Sequence, residues 1–144
     1  MLFRSQAAAL TAGDSATLEN LEILSTSENA AVALCAMDGK KIANSSRLVF
    51  IYATSVLNTD MRLSEDRSFA KDMGKPPALL KTGKIEARIK LKKNAKYALY
   101  PLSLSGERRE KLALKNDGDR LAVSIDTSKL KYGATTLFEI AEEK

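Results

Sequence analysis

Histidine and tryptophan are absent from this sequence, cysteine occurs once, and no apolar run is long enough to span a membrane. Without histidine, Ser-His and Cys-His catalysis, His-containing metal sites and the usual near-neutral pH switch are all excluded. The single Cys35 leaves no internal disulfide. In Ala31-Val32-Ala33-Leu34-Cys35-Ala36-Met37 it reads as a small buried hydrophobe rather than a reactive thiol. The longest apolar candidate, residues 48–57, is interrupted by Tyr52, Thr54 and Ser55 and is about half of the ~20 residues a spanning helix needs. No membrane partner is expected. Arg4 followed by Ala7-Ala8-Ala9-Leu10 is too short an apolar stretch for a signal peptide, and Asp14 follows closely. The start reads as mature sequence, or as a cut made inside a longer protein, and whether the chain is cytoplasmic or secreted depends on what precedes it.

What is present describes one folded domain over residues 1–144. Hydrophobic residues make up 44% and charged residues 28%, which keeps the chain away from the composition of disordered segments. The net charge is +5 and the pI near 9.3, but the basic clusters are short. Lys90-Leu91-Lys92-Lys93, Arg108-Arg109-Glu110-Lys111 and Lys129-Leu130-Lys131 alternate with apolar residues or carry an acid, as solvated strand faces and loops do. With no recognition helix and no aromatic pattern of RNA-binding type, nucleic acid is not an expected partner.

The dominant period is two, which predicts an all-β chain. In Gly83-Lys84-Ile85-Glu86-Ala87-Arg88-Ile89-Lys90-Leu91-Lys92, Ile85, Ala87, Ile89 and Leu91 face one way and the charges the other, as in a half-buried antiparallel strand. The pattern recurs in Leu121-Ala122-Val123-Ser124-Ile125 and, more weakly, in Lys96-Tyr97-Ala98-Leu99-Tyr100 and Leu112-Ala113-Leu114. Residues 30–37 and 48–53 are apolar on both faces and are predicted to be central strands; residues 135–140 close the core. Turn chemistry separates these runs at Asp38-Gly39, Ser105-Gly106-Glu107 and Asn116-Asp117-Gly118-Asp119. Strand spacing of this kind predicts an antiparallel two-sheet β-sandwich, immunoglobulin-like or jelly-roll-like. One interval breaks the rhythm. Residues 58–75 are polar and carry Asp60, Arg62, Glu65, Asp66, Arg67, Lys71 and Asp72, and they read as a long loop with at most one helical turn, covering a sheet edge or serving a function.

Paired carboxylates are the remaining route to catalysis, since glycoside hydrolysis needs only two of them. Asp60 with Asp66, or Asp117 with Asp119, are the candidates, but each lies in a polar loop beside Lys or Arg, where ordinary pKa values are expected. The Asp117-Gly118-Asp119 turn lacks the further acids of a calcium loop, so neither metal nor cofactor is expected. Sugar-binding sandwiches usually present aromatic platforms. Most of the Tyr and Phe residues sit within strand runs, which leaves Phe69 and Tyr132 as candidate sugar contacts.

The block Ala36-Met37-Asp38-Gly39-Lys40-Lys41-Ile42-Ala43-Asn44-Ser45-Ser46-Arg47-Leu48-Val49-Phe50-Ile51 resembles a passage of the C-terminal β-sandwich of large bacterial glycoside hydrolases, whose catalytic barrel lies upstream. That passage reads "Ser-Leu-Asp-Gly-Lys-Pro-Ile", then Ser and a run of leucines. Asn58-Thr59-Asp60-Met61 is similar to its "Asn-Thr-Gly-Met" stretch, and Gly74-Lys75-Pro76-Pro77-Ala78-Leu79-Leu80 to its "Gly-Lys-Ala-Pro" segment. Leu2-Phe3-Arg4-Ser5-Gln6-Ala7 resembles a preceding "Thr-Pro-Arg-Thr-Gln-Gly". The resemblance implies a non-catalytic accessory domain, a fragment of a longer chain, whose partner is the parent's catalytic domain. In that setting Phe69 is an expected anchor and Arg62 and Arg67 expected partners for acidic groups. A carbohydrate-binding module is the alternative; a small free-standing enzyme or nucleic-acid binder ranks third.

Overall fold

Alternating apolar residues in short runs, separated by Gly-, Asp- and Ser-containing turns, give strands that must bury one face, and the chain solves this with two sheets. The structure, a computed structural model, describes residues 4–91, 95–117 and 119–143. Its strands are β1 (Ser5–Leu10), β2 (Ala16–Thr17), β3 (Leu21–Thr26), β4 (Ala30–Ala36), β5 (Arg47–Ala53), β6 (Val56–Thr59), β7 (Arg62–Leu63), β8 (Ala70–Asp72), β9 (Lys75–Leu80), β10 (Lys84–Lys90), β11 (Tyr97–Pro101), β12 (Lys115–Asp117), β13 (Arg120–Asp126) and β14 (Leu137–Glu142). Two 3-10 turns, Ile42–Asn44 and Thr127–Lys129, are the only helical pieces among the described residues.

The first sheet runs β1-β4-β5-β14-β11 and the second β12-β13-β10-β3-β2, with every neighbouring pair antiparallel. Val32, Leu34, Leu48, Phe50, Phe138 and Ile140 of the first sheet and Leu21, Ile23, Ile85, Ile89, Val123 and Ile125 of the second belong to one buried cluster. The fold is therefore the expected antiparallel β-sandwich. The Tyr52 hydroxyl, on β5, lies 3.0 Å from Thr26 Oγ1 and donates to the Lys84 carbonyl at 3.2 Å. Both of its partners belong to the opposite sheet, so this buried ring ties the layers at one end.

The strands expected at residues 30–37 and 48–53 are β4 and β5, inside the first sheet. Asp38-Gly39 turns between them as the sequence suggests, with Gly39 at φ 75°. Leu112-Ala113-Leu114 is not a strand. Leu112 alone bridges Leu99, because the segment after β11 folds along that edge instead of extending a sheet. The Asp117-Gly118-Asp119 turn and the Lys92-Lys93 cluster fall partly outside the described residues, as does the Leu2-Phe3 part of the opening resemblance.

The largest departure concerns residues 58–75. They form no loop and no helical turn, but the greater part of a β-hairpin arm inserted where the chain crosses from β5 to β10. Its outer ribbon pairs β6 with β9, its inner ribbon pairs β7 with β8, and none of these strands joins a sandwich sheet. Charges scattered through the segment hide the alternation, because a two-stranded ribbon has no face that must be apolar. Pro76 and Pro77 lie within β9, at the register break between Asn58 and Thr59, where the missing proline N–H groups interrupt no ladder. At the joint between the ribbons, Gly74 (φ 65°) passes so close to β6 that a Cβ would sit 2.3 Å from the Thr59 carbonyl oxygen. Only glycine fits there.

Candidate interaction surface

The residues singled out from sequence do not converge. Phe69 is 60% exposed in the tip between β7 and β8; Tyr132 is 55% exposed in the connection between β13 and β14. Among the described residues neither ring packs on another aromatic, and the Lys131 ammonium lies 5.3 Å from the Tyr132 ring centre. Arg62, on β7 opposite Asp72, and Arg67, at the tip with φ 59°, are both exposed, and neither guanidinium has an ion-pair partner among the described residues. Phe69, Arg62 and Arg67 thus share the tip end of the arm, while Tyr132 belongs to a different element.

Two of the four candidate carboxylates have structural work. Asp60 pairs with Lys75 at 3.1 Å across the arm, both side chains well exposed. Asp66 accepts from the Ser64 hydroxyl at 2.6 Å and from the N–H and hydroxyl of Ser68, which closes the tip; the Ser64 hydrogen bond is the main reason its carboxyl is held below the ordinary range. The Asp117 side chain lies outside the description, and Asp119 is exposed. Among the described residues no three His, Cys, Asp or Glu side chains gather closely enough to hold a metal ion.

Asp38, in the block that carries the family resemblance, fastens the β4–β5 connection. Its carboxylate accepts from the Ser45 hydroxyl at 2.8 Å, the Ser46 N–H at 2.8 Å, the Ser46 hydroxyl at 3.0 Å and the Lys40 N–H at 3.3 Å. Burial pushes this carboxyl up, but the four donors together outweigh it and hold the group far below the usual carboxylate range. Beside it, the Tyr97 hydroxyl donates to the Ser45 carbonyl at 2.9 Å. Burial, then the nearby Glu142 and Asp38, push that phenol up to about 12. The Asp-Gly-Lys…Ser-Ser pattern is a clip.

The surface that stands out was not singled out from sequence: the outer face of the first sheet. Register places Ser5, Ala7 and Ala9 of β1 beside Cys35, Ala33 and Ala31 of β4, and these beside Val49, Ile51 and Ala53 of β5. All nine are exposed or half-exposed, and none is charged. Cys35 belongs here, partly exposed, and not in the core. The outer face of the second sheet is built the opposite way. Lys84 pairs with Asp126 at 3.7 Å, Arg88 and Arg120 with Glu22, and Ser124 with Glu86 at 2.6 Å. A sequence signal existed for the difference, since β4 and β5 are apolar on both faces, yet an antiparallel sandwich buries only one.

Compared with protein-family models, curated proteins and solved structures, the chain matches none.

Charge returns to the outer face of the first sheet only toward its far edge. Glu139 of β14, nearly fully buried, accepts from Arg47 Nε and Arg108 Nε, each at 2.5 Å. The Arg108 hydrogen bond leads in holding its carboxyl below the ordinary range, against burial, with Arg47 adding to it. Arg108 also lies over the Tyr100 ring, 4.7 Å from its centre. A shallow depression of about 430 Å³ opens beside this group, lined by Lys40, Ser46, Arg47, Arg108 and Glu143 among others. Asp38, Asp66, Asp126 and Glu139 are all shifted downward, whereas a carboxylic general acid needs the reverse.

Proposed function

We propose that this chain is a non-catalytic accessory β-sandwich of a glycoside hydrolase, and that it packs against the parent's catalytic domain through the outer face of its first sheet. The observation that carries the reading is the asymmetry between the two outer faces: ion-paired residues cover one, and a nine-residue uncharged field across β1, β4 and β5 occupies the other. A continuous uncharged field on a sheet that has already buried its inner face marks a surface destined for cover. The family context rests on the Asp38 clip and the Gly74-Lys75-Pro76-Pro77 segment. Both are turn and joint signatures that support a shared scaffold rather than a shared active site. The arm adds Val56, Phe69, Met73 and Leu79, all more than half exposed, together with the exposed Arg62 and Arg67. That mixture suits an inter-domain contact, which is more polar than a core.

The test is Ala33→Lys, at the centre of the field, made in the isolated chain and in the full reading frame that contains it. In the isolated chain the lysine points into water, and the urea midpoint should move by no more than about 0.5 kcal/mol equivalent. In the parent, the same charge would be buried against the catalytic domain and should lower the thermal midpoint and loosen the domain pair in limited proteolysis. Equal responses in the two contexts would remove this face as the docking surface.

A further inference from the structure

The two sheets have four outer edges, and three of them are blunted. At β11, the N–H of Leu112 donates to the Leu99 carbonyl and that of Arg109 to the Pro101 carbonyl, so the following segment covers the edge. β12 has three residues, beginning with Lys115, and β2 has only two. β1 differs from all of these. It has six residues, no charge, no proline and an unbroken register with β4. Strand edges left in this state pair with other strands, and natural sheets avoid them by charge, proline, bulge or cover.

The phase of its ladder says which groups are open. The Ala36 N–H donates to the Arg4 carbonyl, so Arg4 and Ala36 form a hydrogen-bonded pair, and Gln6, Ala8 and Leu10 follow in the same phase. On the far side of β4, the Met37 N–H donates to the Arg47 carbonyl, which puts the odd residues of β4 toward β5 and leaves its even ones for β1. Ser5, Ala7 and Ala9 therefore turn both N–H and C=O outward, and no described residue bonds them.

We propose that β1 pairs with β1 of a second copy of this chain, antiparallel about a two-fold axis through Ala7, joining two first sheets into one ten-stranded sheet. In this register Ala7 lies opposite Ala7, Ser5 opposite Ala9 and Arg4 opposite Leu10. All three open residues of each strand exchange both bonds with the partner strand, which no other antiparallel register achieves. No like charges are opposed, since the strand carries none and Arg4 meets a leucine. Side chains on the strand's outer face are Ser and Ala, so nothing hinders the approach, and the two uncharged outer fields merge into one. The inference is independent of the hydrolase reading, because it uses only the backbone edge.

Ala7→Pro and Ala7→Lys test it. The Ala7 N–H makes no bond within the sheet, so proline there removes a donor only from the new interface, the position in which edge strands tolerate it. Lysine sets two like charges against each other on the axis. The wild-type chain should rise in light scattering from 15.7 kDa toward twice that mass as concentration increases. Both variants should weaken this association at least about tenfold while keeping wild-type circular dichroism. Residue-resolved amide exchange supplies the second reading. Gln6, Ala8 and Leu10 should be protected at every concentration, and Ser5, Ala7 and Ala9 only where dimer forms. A chain that stays at 15.7 kDa up to millimolar concentration overturns the proposal. So does a dimer in which the Ser5, Ala7 and Ala9 amides stay unprotected, or one that Ala7→Lys leaves intact.

Discussion

Four donors converge on the Asp38 carboxylate, and their convergence explains why a short Asp-Gly-Lys…Ser-Ser motif fixes the turn between two interior strands. Asp38→Ala removes the acceptor of the Ser46 N–H and hydroxyl and leaves the Ser45 hydroxyl only the Arg47 carbonyl, and should cost roughly 2–4 kcal/mol in urea unfolding at neutral pH. The pH dependence follows from linkage. The folded-state pKa is depressed below the ordinary 3.8, so the clip's contribution is full above that value and is lost as the pH falls below it. Wild type and Asp38→Asn, compared by urea midpoint, should therefore keep a constant gap from pH 7 down to about 3.8 and converge only as the pH falls further below it; a gap that stays constant in acid would mean that the charge does not matter. Tyr52 is a second residue with a defined task. Tyr52→Phe keeps the ring in the core but removes the link to Thr26 and Lys84, with an expected loss of about 1–2 kcal/mol.

Among the elements, the arm is the one held by the least. It is a pair of two-stranded ribbons, and such ribbons are marginal in water without a third strand or a packed face. Amides of residues 56–80 should exchange far faster than those of β4, β5 and β10. Gly74→Ala, which drives a methyl group into the Thr59 backbone, should speed exchange across the arm while leaving the sandwich's thermal midpoint within a few degrees. The arm is also the part least legible in the sequence. β10 and β13 are legible because Ile85, Ala87 and Ile89, like Leu121, Val123 and Ile125, each need burial on one side. β6 to β9 are not, because none of their residues is fully buried and their pairing is set by backbone geometry at Gly74 and Pro76-Pro77. β4 and β5 are legible as strands inside a sheet, because their double-sided apolar character is a mark of centrality. It is equally the mark of the uncharged outer field, which only the register assembles from three strands.

For the molecule as a whole, both sheets contribute to a single buried cluster, so they are expected to unfold together. Phe50→Ala, at the centre of that cluster, should cost about 3–5 kcal/mol and lower protection in β4 and β10 alike; loss confined to one sheet would show two separately cooperative layers. The arm stands outside this unit, and its root is narrow. Val56 and Leu80 face each other on its first rung, the Lys81 N–H donates to the Ser55 carbonyl at 2.8 Å, and the Thr54 hydroxyl donates to the Lys81 carbonyl at 2.5 Å. The chain thus leaves the sandwich and re-enters it at adjoining positions. In engineering terms the sandwich is a chassis and residues 56–80 an interchangeable attachment, since the closure cost changes by only ~0.6 kcal/mol for each doubling of the inserted length. A new hairpin grafted between Ser55 and Lys81 replaces the arm and leaves every strand of the two sheets as it was.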